Sequence, residues 1–341
     1  MADEALSSNS LAEGPSILWA WTQCRGNTPA WPKWSTLRKN ANLSPVPITF
    51  TLRIQPVVVD YTKASTHEAA TVEVFEDAAT HINSIRDIIN QSQLTDKLEQ
   101  ILVEQMTKVV FGSNFIERAG LGLDETTKLC RIVFHGSHPS NIPARSPQYQ
   151  ERLEELAQNS GGSLPSTEIR DRREVINHAG AFMYMIDKII NNDEFFTEEL
   201  ICATHKILVH GVDALHEKGP ATHHQQYGGI YRHVHVSAGS NNFVNPKFVG
   251  RAMRRFVNDL NDKLEAAEKD QEIDPFFIAA DACGEFVNIH PFLDGNGRTC
   301  RLILNTILLK YAGTVAPIGE ISTERAEYLD IAKRMSVETG S

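Results

Sequence analysis

"NIHPFLDGNGRTCRLILN", Asn288 to Asn305, puts dense polar chemistry at the head of what reads as a buried apolar helix. Twelve positions, His290 to Arg301, hold a histidine, an aspartate, the turn-forming Gly295-Asn296-Gly297 and two arginines. The stretch lies between two helices. Upstream, "DPFFIAADACGEFVNI" opens with Asp274 as N-cap and Pro275 at the first helical position. It must stop near Pro291, because a residue before proline avoids the helical region. Downstream, the spacing predicts a helix from about Asn296 to Tyr311. Cys300, Ile303, Leu304, Ile307, Leu308 and Tyr311 form its core-facing stripe, while Arg298, Arg301 and Asn305 lie on another.

This arrangement has a chemical reading. A helix N-terminus offers unpaired N–H groups and partial positive charge, so it attracts anions. Glycines there let the backbone approach a phosphate closely. Arg298 and Arg301 add donors in a fork that suits phosphate oxygens. Asp294 cannot help an anion directly, but it can through Mg2+, which takes a carboxylate or two plus phosphate oxygens. His290 ordinarily titrates near neutrality and could take a proton from an attacking hydroxyl. Together the parts suit transfer of a phosphate-containing group from a Mg-nucleotide to a hydroxyl. Each alone is commonplace: a histidine at a helix end is usually structural, an NG pair is usually a turn, and helix arginines are usually solvated. Their concentration is what points to a site.

Composition sets the frame. The chain has 341 residues, 41% hydrophobic and 22% charged, an ordinary globular balance that suits about two domains, or one with extensions. A net charge of −10 argues against a general nucleic-acid binder but leaves room for a nucleotide pocket lined by local arginines. The cysteines, Cys24, Cys130, Cys202, Cys283 and Cys300, are scattered, with no CxxC pair. Neither a disulfide framework nor a structural zinc site is expected, and a reducing compartment is the default. The acidic start "MADEALSSNS" does not read as a secretory signal, and no stretch reaches the roughly 20 apolar residues of a membrane span, so a cytoplasmic or nuclear protein without membrane partners is expected.

Residues 1–80 are poorly defined; they hold all four tryptophans, in "WAWTQCRGNTPAWPKW", and "PITFTLRIQPVVVDYT", which could hold a strand. Residues 81–195 read as mostly helical, including "TDKLEQILVEQMTKVVFGSNFIERAG" and "DRREVINHAGAFMYMIDKIINN", broken by a surface loop at Gly161-Gly162 and Pro165. Residues 196–335 form the core region, with 336–341 a tail. "TEELICATHKILVHGV" is a helix with Thr197 as N-cap, and "PKFVGRAMRRFVNDLNDKLEAAEKD" is another. Between them "QYGGIYRHVHVSAGSNNFVNP" carries an alternating run and a turn signal at Gly239 to Asn242, which reads as a β-hairpin. His223, His224, His233 and His235 make a histidine-rich patch. HxH on a strand puts two rings on one face, as zinc could use, but no third ligand has a clear spacing.

His290-Pro-Phe-Leu-Asp294-Gly-Asn-Gly-Arg298-Thr-Cys-Arg301 resembles the Fic (Fido) signature HxFx(D/E)GNGRxxR at every defined position. Similarity runs from about Lys97 to Arg334. The resemblance implies an all-α core with a short β-hairpin flap, in which Gly229, Ile230, Tyr231, Arg232, Val234 and Val236 hold a target segment by strand pairing. It implies an adenylyltransferase that moves AMP from ATP to a Ser, Thr or Tyr hydroxyl of a target protein. His290 would be the general base and Asp294 the Mg2+ ligand. Gly295, Asn296 and Gly297 would form the anion hole, Arg298 would hold the γ-phosphate, and Arg301 would add charge near the phosphates. Asn305 would join the nucleotide-binding stripe, and Tyr328 would lie on the adenine side. Ser113 to Glu117 resembles the family's (S/T)xxxE(G/N) inhibitory motif, with Arg118 where Gly or Asn is usual. Glu117 would pair with Arg298 and take the place of the γ-phosphate. Two other readings stay open: the same site removing AMP from modified proteins, and a non-catalytic ATP-binding module. Homodimers are common in the family; the target's identity is not encoded, since strand pairing uses backbone groups.

Overall fold

The structure is a computed structural model and describes residues 51–52, 95–135, 166–216, 219–238, 241–270 and 272–338. In chain order the helices are α1 (Thr95–Ile116), α2 (Leu123–Phe134) and α3 (Ser166–Ile186), which runs into a π-helical turn at Asp187–Asn191, then α4 (Glu198–Leu208) and the short α5 (His224–Tyr227). A 3-10 turn at Pro246–Phe248 leads into α6 (Val249–Asp270), followed by α7 (Pro275–Ile289), α8 (Asn296–Ala312) and α9 (Ser322–Glu338). The expected caps are present: Thr197 Oγ1 accepts the Leu200 N–H at 3.0 Å and Asp274 Oδ1 accepts that of Phe277 at 2.9 Å. The strands are two-residue pairs: β1 (Thr51–Leu52) runs parallel to β4 (Glu272–Ile273), and β2 (Ser237–Ala238) antiparallel to β3 (Asn241–Asn242). No helix among the described residues is long and apolar enough to cross a membrane. The tryptophan-rich segment, the first part of the helical region (81–94) and the Gly161-Gly162 loop lie outside the described residues.

α8 is the axis of the fold. α7 lies along it, and α1, α3 and α4 close its other sides. The expectation of a single core-facing stripe is therefore corrected: every residue from Arg298 to Ala312 is buried. Surrounded on all sides, the helix has no solvent face for its polar residues, and Arg298, Arg301 and Asn305 are only 3%, 2% and 1% exposed. Groups buried that deeply must find partners or leave their donors unmet.

Two further readings are corrected. α7 and α8 pack closely enough to bring Cys283 and Cys300 to a Cα separation of 5.2 Å, joined as a disulfide. A sequence separation of 17 hid that pairing from any spacing rule. The alternating run from Gly229 to Val236 forms no strand. The strand pairing instead joins Ser237–Ala238 to Asn241–Asn242, so Asn241-Asn242 form a strand rather than a turn. The Arg232 N–H explains the shift, since it donates to Pro291 O at 2.8 Å instead of to a neighbouring strand.

Candidate active site

The loop between α7 and α8 is fixed almost atom by atom. α7 ends at Ile289, and His290 caps it in the left-handed region at φ 50, ψ 61. That conformation is costly for a residue with a side chain and persists only where neighbours enforce it. The Pro291 carbonyl accepts the Arg232 N–H, and the Asn296 side chain bonds both N–H and carbonyl of Phe292 at 2.9 Å. Asn296 thus shapes the loop from within; only its backbone is available to an anion. Gly295 adopts φ 77, and a Cβ there would lie 3.2 Å from His205 Nε2, so the position needs glycine.

With Gly295 as N-cap, the first-turn N–H groups of α8 at Asn296, Gly297 and Arg298 lack intrahelical acceptors and face outward as an anion cradle. The Glu117 carboxylate, from the end of α1, lies at its mouth: a Cβ on Gly297 would collide with Glu117 Oε1. The expected partner of Glu117 is corrected. It pairs with Arg301 Nη2 at 2.7 Å and not with Arg298. Arg301 Nε also donates to Ser113 Oγ at 2.7 Å and Nη2 to the Ser113 carbonyl at 3.0 Å. Ser113 and Glu117 are one helical turn apart on α1, so both reach the same guanidinium. Tyr328 lies on the other side of Arg301, accepting from Nη1 at 3.3 Å with its ring 5.3 Å from the guanidinium carbon.

Arg298 is placed differently. It lies 3.5 Å from Glu174 and 3.7 Å from Asp294 Oδ2, while its Nε and Nη1 have no hydrogen-bond acceptor. Buried donors left unmet on a cation are the mark of a site shaped for an anion. Asn305 is no ligand for one: it accepts the Ala316 N–H at 2.7 Å and donates to Arg301 O at 2.9 Å, tying α8 to the loop after it.

His290 Nδ1 donates to Val287 O at 3.3 Å, which leaves the Nε2 lone pair as the basic position. Phe243 stacks on the ring at 3.9 Å. Burial, with help from the Arg232 charge, pushes its pKa down to about 4, so the imidazole is neutral at physiological pH. Asp294 Oδ1 accepts the Gly295 N–H at 2.7 Å, and its side chain is 40% exposed. One carboxylate edge therefore remains accessible, which suits a hard cation that arrives bound to phosphates. Among the described residues no group of three or more His, Cys, Asp or Glu is arranged to hold a metal ion unaided, so the histidine-rich patch does not assemble one.

The six flap residues are not equivalent. Ile230 and Val234 are 42% and 54% exposed, and Val236 is half-buried. Tyr231 instead donates to Glu198 at 2.9 Å, and Arg232 is buried at 4% exposure with its guanidinium turned inward. Gly229 takes φ 73 and lies close to Cys202 O.

Three buried residues escaped the sequence reading. Glu174 joins Arg170 to Arg298. His178 bonds Asn114 Oδ1 at 2.9 Å, and burial beside the two arginines lowers its pKa. His205 accepts the Gly229 N–H at Nδ1 and donates from Nε2 to Asp294 O at 2.8 Å, with its ring stacked on Phe292 at 3.7 Å. Both nitrogens are engaged in the neutral form, and burial holds its pKa at about 4. A polar residue inside an otherwise apolar helical stripe, as in "CATHKIL" and "REVINHAG", is the signal that could have found them.

Comparison with known proteins places similarity over the same part of the chain. The Fic/DOC family model matches residues 195–308. Protein adenylyltransferase fic-1 of Caenorhabditis elegans is 31% identical over 171 residues, covering 50% of this chain and 30% of that protein. Protein adenylyltransferase Fic of Culex quinquefasciatus is 25% identical over 233 residues, covering 68% and 42%. The chain thus spans less than half the length of these relatives. A solved structure of Fic-1 from C. elegans superposes with a TM-score of 0.52 at 22% identity, covering 82% of this chain and 72% of that one. Residues 195–308 of this chain are a domain of the Fic/DOC family.

Proposed function

We propose that the protein is an adenylyltransferase that moves AMP from ATP to a Ser, Thr or Tyr hydroxyl of a target protein and is held in check by Glu117. The observation that carries the reading is the juxtaposition of a neutral His290 with an anion cradle at the start of α8, walled by a buried arginine with unmet donors. The names of the relatives support the same chemistry. His290 Nε2 would accept the proton of the hydroxyl as its oxygen bonds to the α-phosphorus and pyrophosphate leaves, and the α8 N–H groups with Arg298 would hold phosphate oxygens. The target segment would lie along the flap, where Ile230 and Val234 are exposed. Mg2+ held by Asp294 would supply charge neutralisation at the phosphates. Glu117 would occupy an oxyanion position and neutralise Arg301, so ATP would compete with it for the same donors. The test is α-32P-ATP with the wild type and Glu117→Gly: label on protein should rise in the variant. No label from either would reject the reading.

A second reading, removal of AMP from a modified protein by the same site, is favoured by the part-exposed carboxylate of Glu117 inside the cradle, where it could orient a water. An AMP-modified target that loses AMP with wild type but not with Glu117→Gly would select it.

A further inference from the structure

Arg232 carries a charge into the protein and meets no carboxylate among the described residues. Four of its five N–H groups go to main-chain oxygens: Nε to His290 O at 2.6 Å, Nη1 to Val234 O at 3.0 Å, and Nη2 to Val244 O at 2.5 Å and Ile289 O at 3.3 Å. Its own N–H reaches Pro291 O. These acceptors fall into two sets. Ile289 and His290 are the last residue of α7 and its cap, whose carbonyls the helix cannot satisfy and which carry its negative end. Val234 and Val244 flank the β2–β3 hairpin on either side. One planar cation therefore joins both stems of the hairpin to the backbone of the histidine.

We infer that Arg232 is the positioning residue for His290, holding the base in its left-handed pose and tying that pose to the hairpin. His290 pays for φ 50 only while its carbonyl is gripped. Phe243, which leaves the hairpin next to Val244, stacks on the imidazole, so ring and carbonyl are held from the same element. His205 provides a parallel tie, from Gly229 at the root of the run to the Asp294 carbonyl. A target strand that adds to the hairpin thus meets a base already aligned, and a displaced hairpin misaligns it.

The activity arm of the test rests on the function proposed above; a second arm does not. In the Glu117→Gly background, Arg232→Lys and Arg232→Gln are compared for label transfer and Mg-ATP binding. Lysine keeps the charge but has no planar fork for acceptors on two sides. The expected result is a fall in kcat of about tenfold or more in both variants, with KM for ATP within about threefold, since a small misplacement of a reacting group costs that much. The second arm follows the His290 imidazole by NMR, assigned from His290→Asn. The charges facing that ring are Arg232, Glu117 and Asp294. In Arg232→Gln its titration midpoint should rise. Unchanged kcat together with an unmoved His290 titration would overturn the inference, as would loss of cooperative unfolding in both variants, which would make Arg232 a folding residue. If the parent shows no transfer at all, the functional reading fails and the NMR arm alone decides.

Discussion

Glu117 and Arg301 stand 184 residues apart in sequence, yet Oε1 and Nη2 are 2.7 Å apart, against a guanidinium that is 2% exposed. Ser113 completes the grip, with Oγ on Nε and its carbonyl on Nη2. The pair is therefore held by geometry on α1 as well as by charge. Ser113→Ala removes a buried bond to a charged donor, worth roughly 1.5–3 kcal/mol. The expected outcome is a lower Tm and a partial gain of label transfer, smaller than that of Glu117→Gly. Thermal unfolding and the α-32P assay on the same preparation check it.

Arg118 shows why the family pattern favours Gly or Asn at that position. It has φ 57, the left-handed conformation that ends a helix, which a β-carbon makes costly. Arg118→Gly should relieve this and stabilise the protein by about 1 kcal/mol. Because the gain falls on the residue after Glu117, the inhibition proposed for Glu117 should tighten: Tm rises and residual label transfer of the otherwise wild-type chain falls. A variant that is less stable and more active would contradict this account.

The depressed pKa values of His290 and His205, each about 4, set the pH dependence. In the unfolded chain both titrate near 6.5. Between pH 4 and 6.5 the unfolded state therefore binds more protons, so stability rises with pH across that window and is lost as pH falls through it. The fully buried His205 alone contributes on the order of 3 kcal/mol. Urea unfolding at pH 7 and 4.5 should show the loss, and His205→Gln should reduce it. If the proposed transfer uses neutral His290 as its base, activity should stay flat from neutrality to about pH 5 and fall only toward pH 4.

The site was legible in sequence to the extent that it is local. His290 to Arg301 is one loop and one helix turn, and its spacing fixes which groups share the cradle. The hairpin was legible as an element but displaced by several residues, because alternation cannot reveal that the Arg232 N–H is claimed by Pro291 across the fold. Glu174, His178 and His205 were legible only as polar breaks in apolar helical stripes; that pattern marks a buried polar residue but does not name the arginine or carbonyl it will meet. The choice between Arg298 and Arg301 as partner of Glu117 was a question of which side of α8 faces α1. Two arginines three residues apart on one helix differ by about 60° in direction, and sequence does not say where the third helix lies.

That choice decides the last prediction. Arg301 is neutralised by Glu117, whereas Arg298 is shared by Glu174 and Asp294 and keeps unmet donors. If Arg301 is where Glu117 and a phosphate compete, Arg301→Ala removes both partners of the contest. In the wild-type background it should not activate, although the Glu117 pair is gone. In the Glu117→Gly background it should abolish the gain, lowering transfer by about ten- to over a hundredfold, the equivalent of one charge-assisted contact. Arg298→Ala should also be inactive, but for a different reason: it frees the Glu174 carboxylate inside the protein, 2% exposed, with Arg170 its remaining ion-pair partner among the described residues. Arg298→Ala should therefore unfold at a lower temperature than Arg301→Ala in the Glu117→Gly background, where Arg301 has no carboxylate left to strand. Calorimetry with Mg-ATP separates the two further: without Arg301 the affinity no longer depends on whether residue 117 is Glu or Gly, and with Arg301 present it does. Equal dependence on residue 117 in both arginine variants would mean that Glu117 acts on the cradle at Gly297 and not through Arg301.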